Sequence, residues 1–119
     1  MKVPKILIVE DDPQILDLTC EAFKRSGLEI IEATSGLDGF EKFRLNMADI
    51  DILLTDIDCA CGSSFDGLAL AKEVKKYIDA HSLQVSIFFM SGGRTYSDEE
   101  LSRYSQFPLV KKPFIPRQL

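Results

Sequence analysis

A chain of 119 residues that is 45% hydrophobic and 28% charged is the size of one domain and can bury a core, which excludes a disordered tail. Its formal net charge of −5 excludes nucleic acid or an anionic membrane surface as partners held by bulk electrostatics. No apolar run approaches a bilayer span, and acids cut the first apolar stretch too short for a signal peptide, so a cytoplasmic location is expected. Residues 5–10, KILIVE, form a continuous apolar run with β-branched members, as in a strand buried on both faces. Asp12-Pro13 then supplies an N-cap and a first helical position, and Ile15, Leu16, Leu18, Ala22 and Phe23 follow on helical spacing, with Cys20 as a packing residue and Gly27 as the stop. Residues 28–33 read as a second strand, and Leu37, Phe40 and Phe43 mark one face of a second helix. Residues 50–55 are a third apolar strand that ends at Asp56. A polar loop with Gly62, Ser63 and Ser64 leads into a helix over about 67–80, with Leu68, Ala71, Val74 and Ile78 in line. Residues 85–90 form a fourth strand before Ser91-Gly92-Gly93. Ser97 with Glu100 reads as a capping box, and 109–111 is a brief fifth strand before Lys112-Pro113-Phe114.

Strands alternating with helices predict a parallel sheet covered on both faces, built as a single domain over 1–119. Right-handed crossovers bring the carboxyl ends of all its strands to one edge, where open sheets of this kind bind ligands. Four of those ends carry polar groups: Glu10-Asp11-Asp12, Asp56, Ser91 and Lys112. Carboxylates gathered within a few ångströms repel one another, so at least one must hold its proton more tightly or a cation must enter, and an oxygen-only set of two or three acids suits Mg²⁺. One carboxylate can then act as nucleophile toward a phosphoryl group, with metal and lysine neutralising charge and the hydroxyl bonding a phosphoryl oxygen. His81, the one histidine, falls at a helix end, so a Ser-His-Asp triad is not expected. Three irregularly spaced cysteines make no disulfide framework and fit a reducing compartment.

The segments ILIVEDDP, ILLTDI, DGLALA, FFMSGG and VKKPF, in that order, resemble the receiver (CheY-like) domain of a two-component response regulator, from residue 5 to about 118. The resemblance implies a flavodoxin-like, doubly wound, five-stranded sheet of strand order 2-1-3-4-5. It implies Asp56 as phosphoacceptor, Asp11 as direct metal ligand, Glu10 acting mainly through water, and the Asp58 backbone carbonyl completing the Mg²⁺ shell. Ser91 matches the switch hydroxyl and Lys112 the lysine that pairs with the phosphoryl group, before a Lys112–Pro113 bond that is usually cis in the family. The implied function is a phosphoprotein switch and not a turnover enzyme. It is charged by a histidine kinase, a phosphotransfer protein or a small phosphodonor, and it regulates a partner or an attached output domain.

Four departures from the family pattern stand out. The loop after Asp56 is about three residues longer, lacks the usual proline and brings Cys59 and Cys61 near the acceptor; free thiols are the expectation there. Asp58 adds negative charge beside the site, and Leu109 stands where the family often has Tyr or Phe. Residues 114–119 leave almost no room for a last helix, which is therefore expected to be truncated or missing, with the face over the first and fourth strands exposed and self-association favoured. The alternative reading is a receiver-like interaction module that is not phosphorylated. A Mg²⁺-dependent hydrolase using Asp56-Ile57-Asp58 is disfavoured, because such nucleophiles ordinarily follow the first strand.

Overall fold

Ile6, Leu7, Ile8 and Val9 are all fully buried. Successive side chains of a strand point to opposite faces, so four in a row can be buried only if both faces are covered. The computed structural model describes residues 3–57, 65–91, 99 and 109–111, the last three and Ser91 by backbone alone, and it has this two-sided core. Leu7 and Val9 pack with Phe43, Leu53, Leu70 and Phe89 on one face, while Ile6 and Ile8 pack with Leu16, Cys20, Phe23, Leu54 and Met90 on the other.

The elements run β1 (Lys5–Val9), α1 (Pro13–Arg25), β2 (Glu29–Ala33), α2 (Gly36–Asn46), β3 (Ile52–Asp56), α3 (Gly67–His81), β4 (Ser86–Ser91) and β5 (Leu109–Lys111). The strands form one sheet of order β2-β1-β3-β4-β5 in which every pairing is parallel, the topology expected from the resemblance. α1 supplies Leu16, Cys20 and Phe23 to one face, and α2 and α3 cover the other. Between α2 and α3 lies an aromatic seam in which Phe40 meets both Phe65 and Tyr77, with ring centroids 5.9 and 5.8 Å apart. No described helix is long and apolar enough to cross a membrane.

Expected and observed elements differ in detail, for physical reasons. Leu18 is 63% exposed, because the buried stripe of α1 is Leu16, Thr19, Cys20 and Phe23, a run of i, i+3, i+4, i+7 that leaves position 18 on the far side. Thr19 fits this stripe by donating its hydroxyl to the Ile15 carbonyl oxygen at 2.7 Å. Leu37 likewise faces solvent, because α2 meets the sheet through Gly36, Gly39 and Phe43. Ile50 is buried but outside the strand, since its N–H donates to the Asn46 carbonyl oxygen at the end of α2. On the face where a missing last helix was expected to leave the first strand exposed, Ile6 and Ile8 are fully buried, and Phe88 of β4 is half-buried. The expected helix after Ser97 lies outside the described residues apart from Glu99, and residues 112–119 lie outside them entirely.

Candidate functional site

Parallel pairing brings the carboxyl ends of β1, β3, β4 and β5 to one edge of the sheet. β1 delivers Glu10, whose N–H donates to the Ala33 carbonyl oxygen at 3.0 Å, carrying the hydrogen bonding with β2 one residue past the strand. The Glu10 side chain is 1% exposed, and one of its carboxylate oxygens accepts the Asp12 N–H at 3.2 Å. Asp12 caps α1 as expected, accepting from the Gln14 N–H at 2.9 Å and the Ile15 N–H at 3.4 Å. The three consecutive acids are thereby divided. Asp12 belongs to the helix, while Glu10 and the exposed Asp11 belong to the rim.

β3 delivers Asp56 as its last residue, opposite Met90 of β4 and 6% exposed. One carboxylate oxygen from each of Glu10, Asp11 and Asp56 can be chosen so that all lie within 4.8 Å of one another. At that separation and an effective dielectric of about 20, two unit charges repel by roughly 3 kcal/mol. That is more than a helix cap contributes, and either a retained proton or a cation between the oxygens relieves it. The donor set fits a hard divalent ion: all ligands are oxygens, and donors about 2.1 Å from Mg²⁺ lie up to about 4.2 Å apart, close to the spacing here. Among the described residues, no thiolate or imidazole, which would favour a softer metal, joins the cluster.

The structure thus brings together three of the expected site residues, Glu10, Asp11 and Asp56. Ser91 ends β4 one residue beyond the partner of Asp56, with Lys111 of β5 as its own partner. Ser91 and the residue before Lys112 therefore stand at the same sheet edge as the acids. Asp58, Cys59, Cys61, Lys112 and Pro113 lie outside the described residues. Cys20 is buried under α1 as expected, and burial, followed by the neighbouring Glu32, pushes its thiol up to about 12.

Two neighbours of Asp56 escaped the sequence reading. The Thr55 hydroxyl donates to the Asp56 carbonyl oxygen at 3.1 Å, and Gly67, the first residue of α3, lies against that same carbonyl group. The usable signal was a glycine at the first helical position, where it lowers helix propensity and often marks close backbone approach.

Comparison with known proteins agrees with this fold. The family model described as the response regulator receiver domain matches residues 6–119. Over all 119 residues the chain is 28% identical to the uncharacterized transcriptional regulatory protein YbdJ of Bacillus subtilis, of which it spans 48%, so it covers about half the length of that curated relative. Among solved structures, a response regulator receiver domain protein from Clostridium thermocellum superimposes with a TM-score of 0.78 at 22% identity, over 97% of this chain and 86% of that one. The response regulator protein TrrA from Thermotoga maritima, solved in complex with Mg(2+)-BeF, superimposes with a TM-score of 0.74 at 26% identity, over 94% of this chain and 89% of that one. The chain belongs to the response regulator receiver domain family and so to the signalling domains of two-component systems.

Proposed function

We propose that this domain is a phosphorylatable switch whose acceptor is Asp56. The observation that carries the reading is the meeting of three carboxylates, Glu10, Asp11 and Asp56, at the carboxyl edge of the sheet, their oxygens within 4.8 Å. In the reaction, an Asp56 carboxylate oxygen bonds to phosphorus as the bond from phosphorus to the donor's leaving atom breaks, and the donor keeps that electron pair. The product is an acyl phosphate on Asp56. Such transfer depends on charge neutralisation and in-line placement more than on covalent help from the protein.

Glu10, Asp11, Asp56 and the Asp58 backbone carbonyl would hold Mg²⁺, whose contribution is to neutralise charge on the phosphoryl oxygens. Burial of Glu10 and its bond from the Asp12 N–H hold one acid of the set in a fixed orientation. Lys112 pairs with the phosphoryl group, and the Ser91 hydroxyl donates to one of its oxygens. The Mg(2+)-BeF complex of TrrA supports the choice of ion and of chemistry. The donor is a histidine kinase, a phosphotransfer protein or a small acyl phosphate. Added charge at the rim shifts the population of an active state, which acts on a partner, a second copy or an attached output domain. Curated relatives that are transcriptional regulatory proteins support the last of these.

The test is intact-mass measurement after incubation with acetyl phosphate and Mg²⁺. One added PO₃ unit is expected, lost in Asp56→Asn and suppressed by chelation. An unmodified chain, or an adduct that persists in Asp56→Asn, defeats the proposal and leaves the unphosphorylated interaction module in its place.

A further inference from the structure

The acceptor is held from behind as well as from the rim. Gly67 opens α3, and its N–H donates to the Ile57 carbonyl oxygen at 3.0 Å. A Cβ built on Gly67 would overlap the Asp56 carbonyl oxygen and come within 2.9 Å of the Asp56 carbonyl carbon and 3.0 Å of the Ile57 Cα. All three are main-chain atoms, so no side-chain rotation relieves the overlap. The same peptide unit is fixed from two other directions. The Thr55 hydroxyl bonds the Asp56 carbonyl oxygen at 3.1 Å, and the Ile57 N–H bonds the Met90 carbonyl oxygen at 3.2 Å. The Cα–Cβ direction at Asp56 is set by where its N, Cα and carbonyl carbon sit, so holding this peptide unit in place holds the direction from which the Asp56 carboxylate projects. Glu10 and Asp11 come from a different strand, so a small rotation at Asp56 opens the cluster instead of moving it as a unit.

We infer that Gly67 is a positioning residue for the carboxylate cluster, acting through the Asp56–Ile57 peptide and setting both ion affinity and phosphoryl acceptance. The inference deepens the reading of Asp56 as acceptor and rests on it. In Gly67→Ala the overlap is relieved by displacing α3 or by displacing the Asp56–Ile57 peptide, and the second shifts the Asp56 carbonyl carbon, and with it the carboxylate, away from Glu10 and Asp11. Outer partners that orient metal ligands are commonly worth about 10- to 100-fold in affinity, and a loss in that range is expected here.

The experiment is a Mg²⁺ titration of the full chain followed by backbone amide NMR, with acetyl phosphate labelling run in parallel. Val74→Ala, two turns along α3 and fully buried, controls for lost stability alone. Thr55→Val removes the hydroxyl donor to the same carbonyl with little change of shape, and it keeps the test open if Gly67→Ala does not fold. The expected result is weaker Mg²⁺ binding and slower labelling in Gly67→Ala, the same direction with smaller size in Thr55→Val, and wild-type affinity in folded Val74→Ala. Wild-type Mg²⁺ affinity in Gly67→Ala and Thr55→Val overturns the inference, as does an equal loss in Val74→Ala. A wild-type chain that binds Mg²⁺ but takes no phosphoryl group defeats the acceptor reading alone, and the titration still decides the role of Gly67.

Discussion

Asp12 has its carboxylate committed to two amide groups of α1, whereas Asp11 beside it is exposed and belongs to the carboxylate cluster. Adjacent and chemically identical side chains should therefore respond in opposite ways to removal. Asp12→Ala is expected to lower stability by about 1 kcal/mol through loss of the cap while leaving Mg²⁺ affinity near that of the unaltered chain. Asp11→Asn removes no cap and relieves like-charge repulsion, so without divalent ion its stability is expected to be equal to or above that of the unaltered chain. Its Mg²⁺ affinity should fall by about 100-fold or more, since even outer partners of metal ligands are worth about 10- to 100-fold. Urea denaturation and ion titration of the two variants separate the roles, and a variant that lost both properties together would contradict the division. Cys20 makes a second prediction at this scale. Burial raises its thiol from 9.0 to about 12, so the folded chain keeps a proton that the unfolded chain releases. The stability linked to this group is complete below pH 9.0 and is lost as pH rises toward about 12. Cys20→Ala should lower the baseline by creating a small void but flatten the alkaline decline measured by urea melts across that window. An unchanged alkaline slope in the variant would mean that the thiol does not report burial.

At the scale of elements, the positive-φ positions among the described residues fall at helix ends. Gly27, after α1, has φ +87°, and a Cβ there would meet no atom within 4 Å, so Gly27→Ala tests backbone strain without steric conflict. Ser82, the C-cap of α3, adopts φ +52° with a side chain in place. The left-handed conformation costs a non-glycine residue roughly 1–2 kcal/mol, partly offset by the larger unfolded-state freedom of glycine. Gly27→Ala should therefore lose about 1 kcal/mol in urea denaturation, and Ser82→Gly should gain up to about 1 kcal/mol. A loss in Ser82→Gly would show that the serine makes a compensating interaction. These ends also show what could be read from the residues. Gly27 was legible as a stop because only glycine suits that φ without strain, whereas nothing in the sequence marks Ser82 as left-handed. The strands were legible because the central ones are buried on both faces and therefore apolar without alternation, as at Ile6–Val9. Helical faces were less so. The side of α1 that meets the sheet includes Thr19, a polar residue satisfied by its own helix, and the side that does not includes Leu18. At the site, Glu10, Asp11 and Asp56 were legible from their places at strand ends, which topology alone gathers. The support from Thr55 and Gly67 was not, since it depends on the angle at which α3 returns to the back of β3.

At the scale of the whole molecule, an ion held by the cluster would be coupled to folding. Glu10 and Asp11 follow β1, and Asp56 ends β3, with 44 or more intervening positions, so the unfolded chain cannot hold the three carboxylates together. Mg²⁺ binds the folded state alone under this description, and its stabilising effect is RT ln(1 + [Mg²⁺]/Kd), about 2.7 kcal/mol at a hundredfold excess over Kd. For a domain of this length that corresponds to a rise in Tm of roughly 8–15 °C. General screening of a chain with net charge −5 would produce a rise too, but one that depends on ionic strength and not on which salt supplies it. Melting in MgCl₂ and in NaCl at matched ionic strength separates the two contributions. The expected outcome is a Mg²⁺-specific rise that continues by about 1.4 kcal/mol for each tenfold increase above Kd and disappears in Asp11→Asn and Asp56→Asn. Because removing either acid also relieves like-charge repulsion, both variants should melt at or above the unaltered chain when no divalent ion is present. The order of stability between variant and unaltered chain then reverses as Mg²⁺ is added. A merely structural acid cluster would show no such crossing, so two superimposable melting series in the two salts would mean that the three carboxylates converge without acting as an ion site.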